Sequence, residues 1–316
     1  MKLNERASRL CERIVQELEL LRITVHQHAS GSRVLDFGVD ARGGLEAGRR
    51  LAEVCLAGLG KVDFFAGEGS GRTPAVSVRT DYPVAACMAS QYAGWQITHE
   101  GYFAMGSGPM RAAAAREPLF ETIGCRESDS VAVGVLETSQ LPSQAVCEEI
   151  ARKCRVEPEK LTLLVARTAS QAGTVQVVAR CVETAMHKLF ELGFDLNLVE
   201  SGFGVAPLPP VAGNDLTAMG WTNDAILYGG EVTLWVHGDE SELRRLGPSV
   251  PSTSSRDHGR PFARIFEHYG RDFYAIDPLL FGPAVVTLLH LDTGRRFRFG
   301  RTAPDLLRES FGAGTT

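Results

Sequence analysis

The chain has 316 residues, so two domains of ordinary size are expected. Hydrophobic residues make up 44% of the sequence and charged residues 22%, which excludes a mainly disordered or fibrous protein. The 33 Lys and Arg against 38 Asp and Glu give a net charge of −5, and no basic run is present. Binding to duplex nucleic acid needs clustered positive charge, so no nucleic-acid partner is predicted.

The sequence also predicts no membrane partner. Its longest apolar stretches, such as 283–289, fall well short of the ~20 residues that cross a bilayer. The N-terminus carries mixed charges instead of the apolar stretch of a secretory signal. The seven cysteines are an odd number without a Cys-x-x-Cys pair, which favours reduced, buried thiols. We therefore expect a cytoplasmic protein without a structural metal.

Helical and strand periods alternate along the chain, which predicts a mixed α/β class. Helices are predicted over 3–21, 45–59, 84–92, 143–154, 174–192 and 304–310. Strands are predicted over 23–27, 34–39, 62–65, 75–79, 131–136, 161–165, 225–228, 231–237, 285–291 and 296–299. Gly60 is predicted to end the second helix in the left-handed conformation.

Residues 202–230 are rich in Gly and Pro, and they interrupt this alternation. A binding loop and an extended linker between domains are equally compatible with that composition. We place the domain boundary at this change of composition. The expected division is an N-terminal α/β domain over 1–195 and a C-terminal α/β domain over 196–316, with a discontinuous domain left open.

Three short motifs suggest binding sites. The glycines of 67–71 are followed by a strand instead of a helix, so they predict a turn and not a nucleotide loop. In 106–112, Ser107 and Gly108 would let backbone amides approach a ligand and Arg111 would meet an anion; an ordinary capped helix start is the alternative. His26 and His28 share one strand face but lack a second ligand pair, which favours ordinary surface histidines over a metal site.

The predicted helix 174–192 carries a narrow polar stripe opposite its apolar face. The stripe contains Gln176, Arg180, Glu183 and His187. A solvated surface with an exposed ion pair is one interpretation. In the other, the stripe faces a cleft, where an ionised carboxylate can orient or deprotonate a water. The small residues 168–173 before the helix, among them Thr168 and Ser170, are typical of a turn that admits a ligand.

The chain resembles the methenyltetrahydromethanopterin cyclohydrolase family over essentially its whole length. The resemblance lies in 106–109, in 168–195 with its Arg-x-x-Glu pair, and in Val205-Ala206-Pro207-Leu208-Pro209-Pro210, Thr222-Asn223-Asp224-Ala225-Ile226-Leu227-Tyr228-Gly229-Gly230, 251–262 and 272–278. Together these segments are specific to the family, although any one of them alone would be weak evidence.

The resemblance implies a hydrolase of one-carbon metabolism that opens the 5,10-methenyl bridge of a tetrahydromethanopterin to the 5-formyl compound, as in formaldehyde oxidation or a methanogenesis-type pathway. It implies two α/β domains with a pterin pocket between them, a homotrimer, and no metal or redox cofactor. Arg180 and Glu183 match the family's active-site pair. The expected substrate-binding residues are Ser107, Gly108, Arg111, Thr168, Ser170, Gln176, His187, Asn223 and Asp224.

Two alternatives stay open: a non-catalytic pterin-binding paralogue and a cyclohydrolase acting on methenyl-tetrahydrofolate. The match also departs from the expected pattern at two positions, because Trp221 and Gly213 stand where a basic residue is expected. If these two positions contact the tail of the substrate, the protein would prefer a pterin with a shorter or less charged tail. Alternatively, Trp221 packs on a ring.

Overall fold

The computed structural model describes residues 1–67, 73–128 and 130–312. The α-helices are α1 Leu3–Val15, α2 Leu18–Leu21, α3 Leu45–Cys55, α4 Met110–Ala114, α5 Leu119–Ile123, α6 Gln144–Cys154, α7 Gln171–Val178, α8 Cys181–Glu191, α9 Asp215–Gly229, α10 Glu240–Leu246, α11 Phe262–His268 and α12 Pro304–Ser310. The helix predicted over 84–92 is a π-helix, Val84–Gln91. The strands are β1 Thr24–Gln27, β2 Arg33–Gly38, β3 Gly60–Phe65, β4 Ala75–Thr80, β5 Trp95–His99, β6 Tyr102–Ser107, β7 Ala132–Glu137, β8 Leu161–Ala166, β9 Val199–Pro207, β10 Glu231–Val236, β11 Val285–His290 and β12 Arg296–Gly300.

The chain forms two compact units, each with its own six-stranded sheet. The first unit contains Met1–Gly60 and Ala85–Val177, and the second contains Lys61–Val84 and the chain from Val178 onward. This division differs from the predicted boundary at residue 195. The reason is strand pairing: β4 pairs antiparallel with β9, so the 61–84 segment belongs with the second sheet. The α/β class is confirmed.

The sheet of the first unit has the order β1-β2-β8-β7-β6-β5. Its three central strands run parallel, and the outer strands pair antiparallel. Apolar side chains on one face join those of α4 and α6 in a core, and those on the other face join α1 and α3. Because both faces are covered, every residue of β8 is buried and all but Thr162 are apolar. Because β2, β7 and β8 run parallel, their carboxyl ends lie at the same edge of the sheet.

The sheet of the second unit has the order β12-β11-β10-β9-β4-β3, and α8 packs on β9. Two glycines of β9 permit this packing. A Cβ at Gly204 would lie 2.6 Å from Cys181 Sγ, and a Cβ at Gly202 would lie 2.7 Å from Val182 Cγ1. The start of α8 therefore sits directly on the strand. Within the described residues, every helix is too short or too polar to cross a bilayer.

The 202–230 segment does not link the two units, since it lies within the second one, and most of it is regular secondary structure. It contains most of β9 and the fifteen-residue helix α9, whose first turn is capped by the Asn214 side chain accepting from the Thr217 N–H. The strand predicted over 225–228 is part of this helix, because a short apolar run fits either structure.

Further predictions of where elements begin and end need correction. The helix predicted over 174–192 is two helices, α7 and α8, interrupted at Ala179 and Arg180. The second predicted helix ends at Cys55, and Gly60 begins β3; the positive φ angles fall on Ala57 and Gly58. The β5–β6 hairpin was not predicted.

Candidate functional site

Arg180 and Glu183 lie at the start of α8 in the second unit. Arg180 precedes the helix, and its carbonyl oxygen accepts from the N–H and the hydroxyl of Thr184 at 2.8 and 3.0 Å. The Arg180 and Glu183 side chains are only 7% and 6% exposed. These exposures rule out the predicted alternative of a solvated surface stripe. A carboxylate in the first turn also interacts favourably with the positive end of the helix dipole.

The next turn of α8 carries His187 and Lys188. His187 is partly buried, and its Nε2 lies 3.7 Å from Glu191 Oε1. Lys188 is 2% exposed, and its Nζ donates to the Pro278 carbonyl oxygen at 3.0 Å. Burial lowers the pKa of Lys188 to about 8, against the opposing charges of Asp277 and Glu191. Sequence reasoning missed this lysine, because nothing in its spacing separates a buried lysine from an exposed one.

Thr168 and Ser170 lie at the carboxyl edge of the first sheet, between β8 and α7. The Thr168 hydroxyl donates to the Glu137 carboxylate at the end of β7. The Ser170 hydroxyl accepts from the Gly173 N–H at 3.0 Å and thus caps α7. Gly38 permits this turn, since a Cβ there would lie 2.3 Å from Ser170 Oγ. The small residues serve close backbone packing at a sheet edge where ligands commonly bind.

Ser107 and Gln176 meet around one buried thiol in the first unit. Cys55 Sγ lies 3.4 Å from Ser107 Oγ and 3.9 Å from Gln176 Nε2. Gly108, which follows Ser107, has a φ of +87°, and its N–H donates to the Ser90 carbonyl oxygen. Its left-handed conformation favours glycine at this position.

Arg111, which the sequence predicted to meet an anion, forms its contacts within the fold. The side chain is fully buried. Its guanidinium forms an ion pair with Glu117, donates to the Met88 carbonyl oxygen at 2.7 Å, and lies over the rings of Tyr92 and Phe120. A cation so engaged has little capacity left for an anion, so the alternative of a structural helix start describes the 106–112 motif better.

Asn223, Asp224 and Trp221 lie on α9 in the second unit. Asn223 Nδ2 donates to the Met219 carbonyl oxygen in the preceding turn. Asp224 is fully buried and accepts from the Phe262 N–H and the Ser310 hydroxyl. Burial raises the pKa of Asp224 to about 7. Its bonds tie α9 to α11 and α12, which assigns Asp224 to the fold.

The remaining sequence motifs are the two histidines of 26–28 and the glycines of 67–71. His26 Nε2 lies 3.1 Å from Thr24 Oγ1, and His28 Nε2 lies 3.1 Å from the Pro142 carbonyl oxygen. No cluster of three His, Cys, Asp or Glu side chains in the described ranges is arranged to hold a metal ion. Most of the 67–71 glycine motif lies outside the described residues. Trp221 packs edge-on against Phe311, with ring centroids 6.4 Å apart.

Comparison with known proteins identifies the family. Residues 2–311 match the profile of the cyclohydrolase (MCH) family. The chain is 44% identical over 310 residues to methenyltetrahydromethanopterin cyclohydrolase of Methylobacillus flagellatus, covering 98% of this chain and 95% of that protein. The enzymes of that name from Xanthobacter autotrophicus and Methanosarcina barkeri are 47% and 43% identical, covering 96% and 99% of this chain and 90% and 98% of their own lengths. The chain therefore belongs to the cyclohydrolase (MCH) family.

Proposed function

We propose that the protein hydrates the 5,10-methenyl bridge of methenyl-tetrahydromethanopterin and yields 5-formyl-tetrahydromethanopterin. The observation that carries this proposal is the family match over residues 2–311, which includes a buried Arg180 and Glu183 at the start of one helix. Relatives that bear this enzyme name span nearly the whole chain.

The substrate is already activated, because its bridging carbon belongs to a cationic amidinium. Water adds to that carbon, and a C–O bond forms while the water loses one proton. The tetrahedral adduct then collapses: its hydroxyl gives up the second proton as the C=O bond forms, the bond to N10 breaks, N10 takes up a proton, and the formyl group remains on N5. One proton is released overall, and no nucleophilic side chain is needed.

Glu183 suits the role of orienting the water and accepting its proton. Its negative charge also favours the substrate cation. Arg180 suits the role of donating to the oxygen that develops on the bridging carbon, since a buried guanidinium acts there in a medium of low dielectric constant. Both residues lie in one short stretch of backbone, so α8 fixes their positions through its packing on β9.

The substrate-binding residues that we propose are seven of those that the family resemblance implies. They are Ser107, Gly108, Thr168, Ser170, Gln176, His187 and Asn223. We leave Arg111 and Asp224 out of this set, because their hydrogen bonds commit them to the fold.

We also propose a cytoplasmic homotrimer that needs no metal or redox cofactor and acts in one-carbon metabolism, including formaldehyde oxidation. The seven cysteines are free thiols, which suits a reducing compartment. The trimer and the cofactor independence follow from the family resemblance. Light scattering of the purified protein measures the assembly, and activity after treatment with a chelator measures the metal requirement.

The loss of the methenyl absorbance tests the function itself. The purified protein is added to methenyl-tetrahydromethanopterin and, in parallel, to methenyl-tetrahydrofolate, with the uncatalysed rates subtracted. Acceleration with the methanopterin carrier is expected. An unchanged rate with both carriers would contradict the proposal, and acceleration only with the folate carrier would reassign the substrate.

A further inference from the structure

Glu137 ends β7 at the carboxyl edge of the first sheet. Its same-face neighbours Val133 and Val135 belong to the core beneath α1 and α3. Its direct cross-strand partner on β6 is Met105, which is partly buried. Phe103, two residues from Met105 and therefore on the same face, is 54% exposed. A carboxylate thus stands beside an accessible apolar surface.

The described residues supply few hydrogen bonds to the Glu137 carboxylate. The Thr168 hydroxyl donates to one of its oxygens. Among the residues that the structure describes, no Lys or Arg forms an ion pair with it, and the side chain is partly buried. A carboxylate held at a sheet edge without a cation has the capacity to accept further hydrogen bonds from a ligand.

We propose that Glu137 recognises the 2-amino-4-oxopyrimidine ring of the pterin, with Thr168 orienting the carboxylate and Met105 and Phe103 contacting the ring. The inference rests on the proposed function, since it assigns a specificity-determining residue to that substrate. The N3–H and the 2-amino group of a pterin are adjacent, coplanar donors, and a carboxylate accepts from such a pair through both oxygens. The thioether and the aromatic side chain supply the apolar contact that a flat heterocycle needs.

The donor pattern makes the proposal specific. A lumazine carries an oxygen at the 2-position, which would face the Glu137 carboxylate acceptor to acceptor. A glutamine at this position would accept from N3–H and donate to that oxygen, but would oppose the 2-amino group donor to donor. Glu137→Gln should therefore shift the binding preference from the pterin to the lumazine. Substitution of a purely structural residue would not cause this shift.

The test compares 6-methylpterin and 6-methyllumazine as competitive inhibitors of the wild type, Glu137→Gln and the exposed control Glu121→Gln. The wild type and the control should favour the pterin, whereas Glu137→Gln should lose or invert that preference and raise KM about 10- to 100-fold. Glu137→Asp keeps the charge and should keep the preference at a raised KM, which serves if the glutamine variant does not fold.

An unchanged inhibitor preference and KM in both Glu137 variants would overturn the inference while leaving the proposed function in place. Failure of the wild type to hydrolyse the substrate would overturn the function instead. In that event, calorimetric titration of the two inhibitors still decides the role of Glu137, because binding is measured without turnover. Equal affinity of the wild type for 6-methylpterin and 6-methyllumazine would then overturn the proposed role of Glu137.

Discussion

Lys188 Nζ donates to the Pro278 carbonyl oxygen at 3.0 Å, so a lysine that is almost fully buried connects α8 to the 277–278 turn. Burial lowers its pKa from 10.5 to about 8. Between these values the unfolded chain holds a proton that the folded chain does not, so the free energy of unfolding should rise with pH through this window. The group's contribution should increase by up to about 3 kcal/mol.

Lys188→Met should abolish this rise. Urea unfolding of the wild type and the variant from pH 7.5 to 10 gives the difference between their free energies of unfolding, in which the titration of other groups cancels. The exposed Lys160→Met serves as the control and should follow the wild type. A difference between wild type and Lys188→Met that stays constant with pH would contradict the assignment of a depressed pKa.

Gly204→Ala should impair both stability and turnover. The added methyl group would lie 2.6 Å from Cys181 Sγ and 2.9 Å from Val182 Cγ2, so the first turn of α8 must move. We expect a loss of about 1–3 kcal/mol in the free energy of unfolding. Because Glu183 follows in the same turn, kcat should fall as well.

The matched control is Gly213→Ala, since Gly213 is exposed and a Cβ there meets no atom within 4 Å. Chemical denaturation and steady-state kinetics measure both variants. Equal stability and kcat of Gly204→Ala and Gly213→Ala would show that α8 does not depend on its close approach to β9.

The sequence predicted those elements whose local pattern matches their environment. The strands β2, β7 and β8 are largely apolar because helices cover both faces of the sheet, and Ser143 marks the start of α6 by capping it. The β5–β6 hairpin escaped prediction although Trp95 and Ile97 alternate with polar residues. Its turn places Glu100 and Gly101 at φ values of 44° and 86°, and a glutamate in that conformation is unusual.

The glycines of β9 misled for a different reason. From composition alone, glycines indicate a flexible segment. In β9 they leave room for α8, and this role is visible only in the tertiary packing. The same limit applies to the candidate site. The polar stripe and the family resemblance pointed to Arg180 and Glu183, but the position of Glu137 beside Met105 and Thr168 depends on strand pairing across distant parts of the chain.

Asp224→Asn should stabilise the protein above neutral pH. Burial raises the pKa of Asp224 from 3.8 to about 7, so the folded chain binds an extra proton between these values and stability falls as pH rises through the window. Asparagine retains the acceptor for the Phe262 N–H and offers an amide donor to the Ser310 hydroxyl. It carries no charge to bury.

The stability advantage of the variant should therefore grow from pH 4 to pH 8, by up to about 4 kcal/mol. Thermal unfolding at these pH values measures it. The KM should be unchanged, because the bonds of Asp224 belong to the fold. A variant of normal stability whose KM rises strongly would return Asp224 to the substrate-binding residues.

The most direct test of the catalytic account is the rate of methenyl hydrolysis by Glu183→Gln at saturating substrate. Glutamine preserves the size of the side chain and its capacity to accept a hydrogen bond, but it cannot take the proton of the attacking water. We predict that kcat falls about 10²- to 10⁴-fold while KM changes little. A variant that turns over at the wild-type rate would contradict the assignment of Glu183 as the base that activates water.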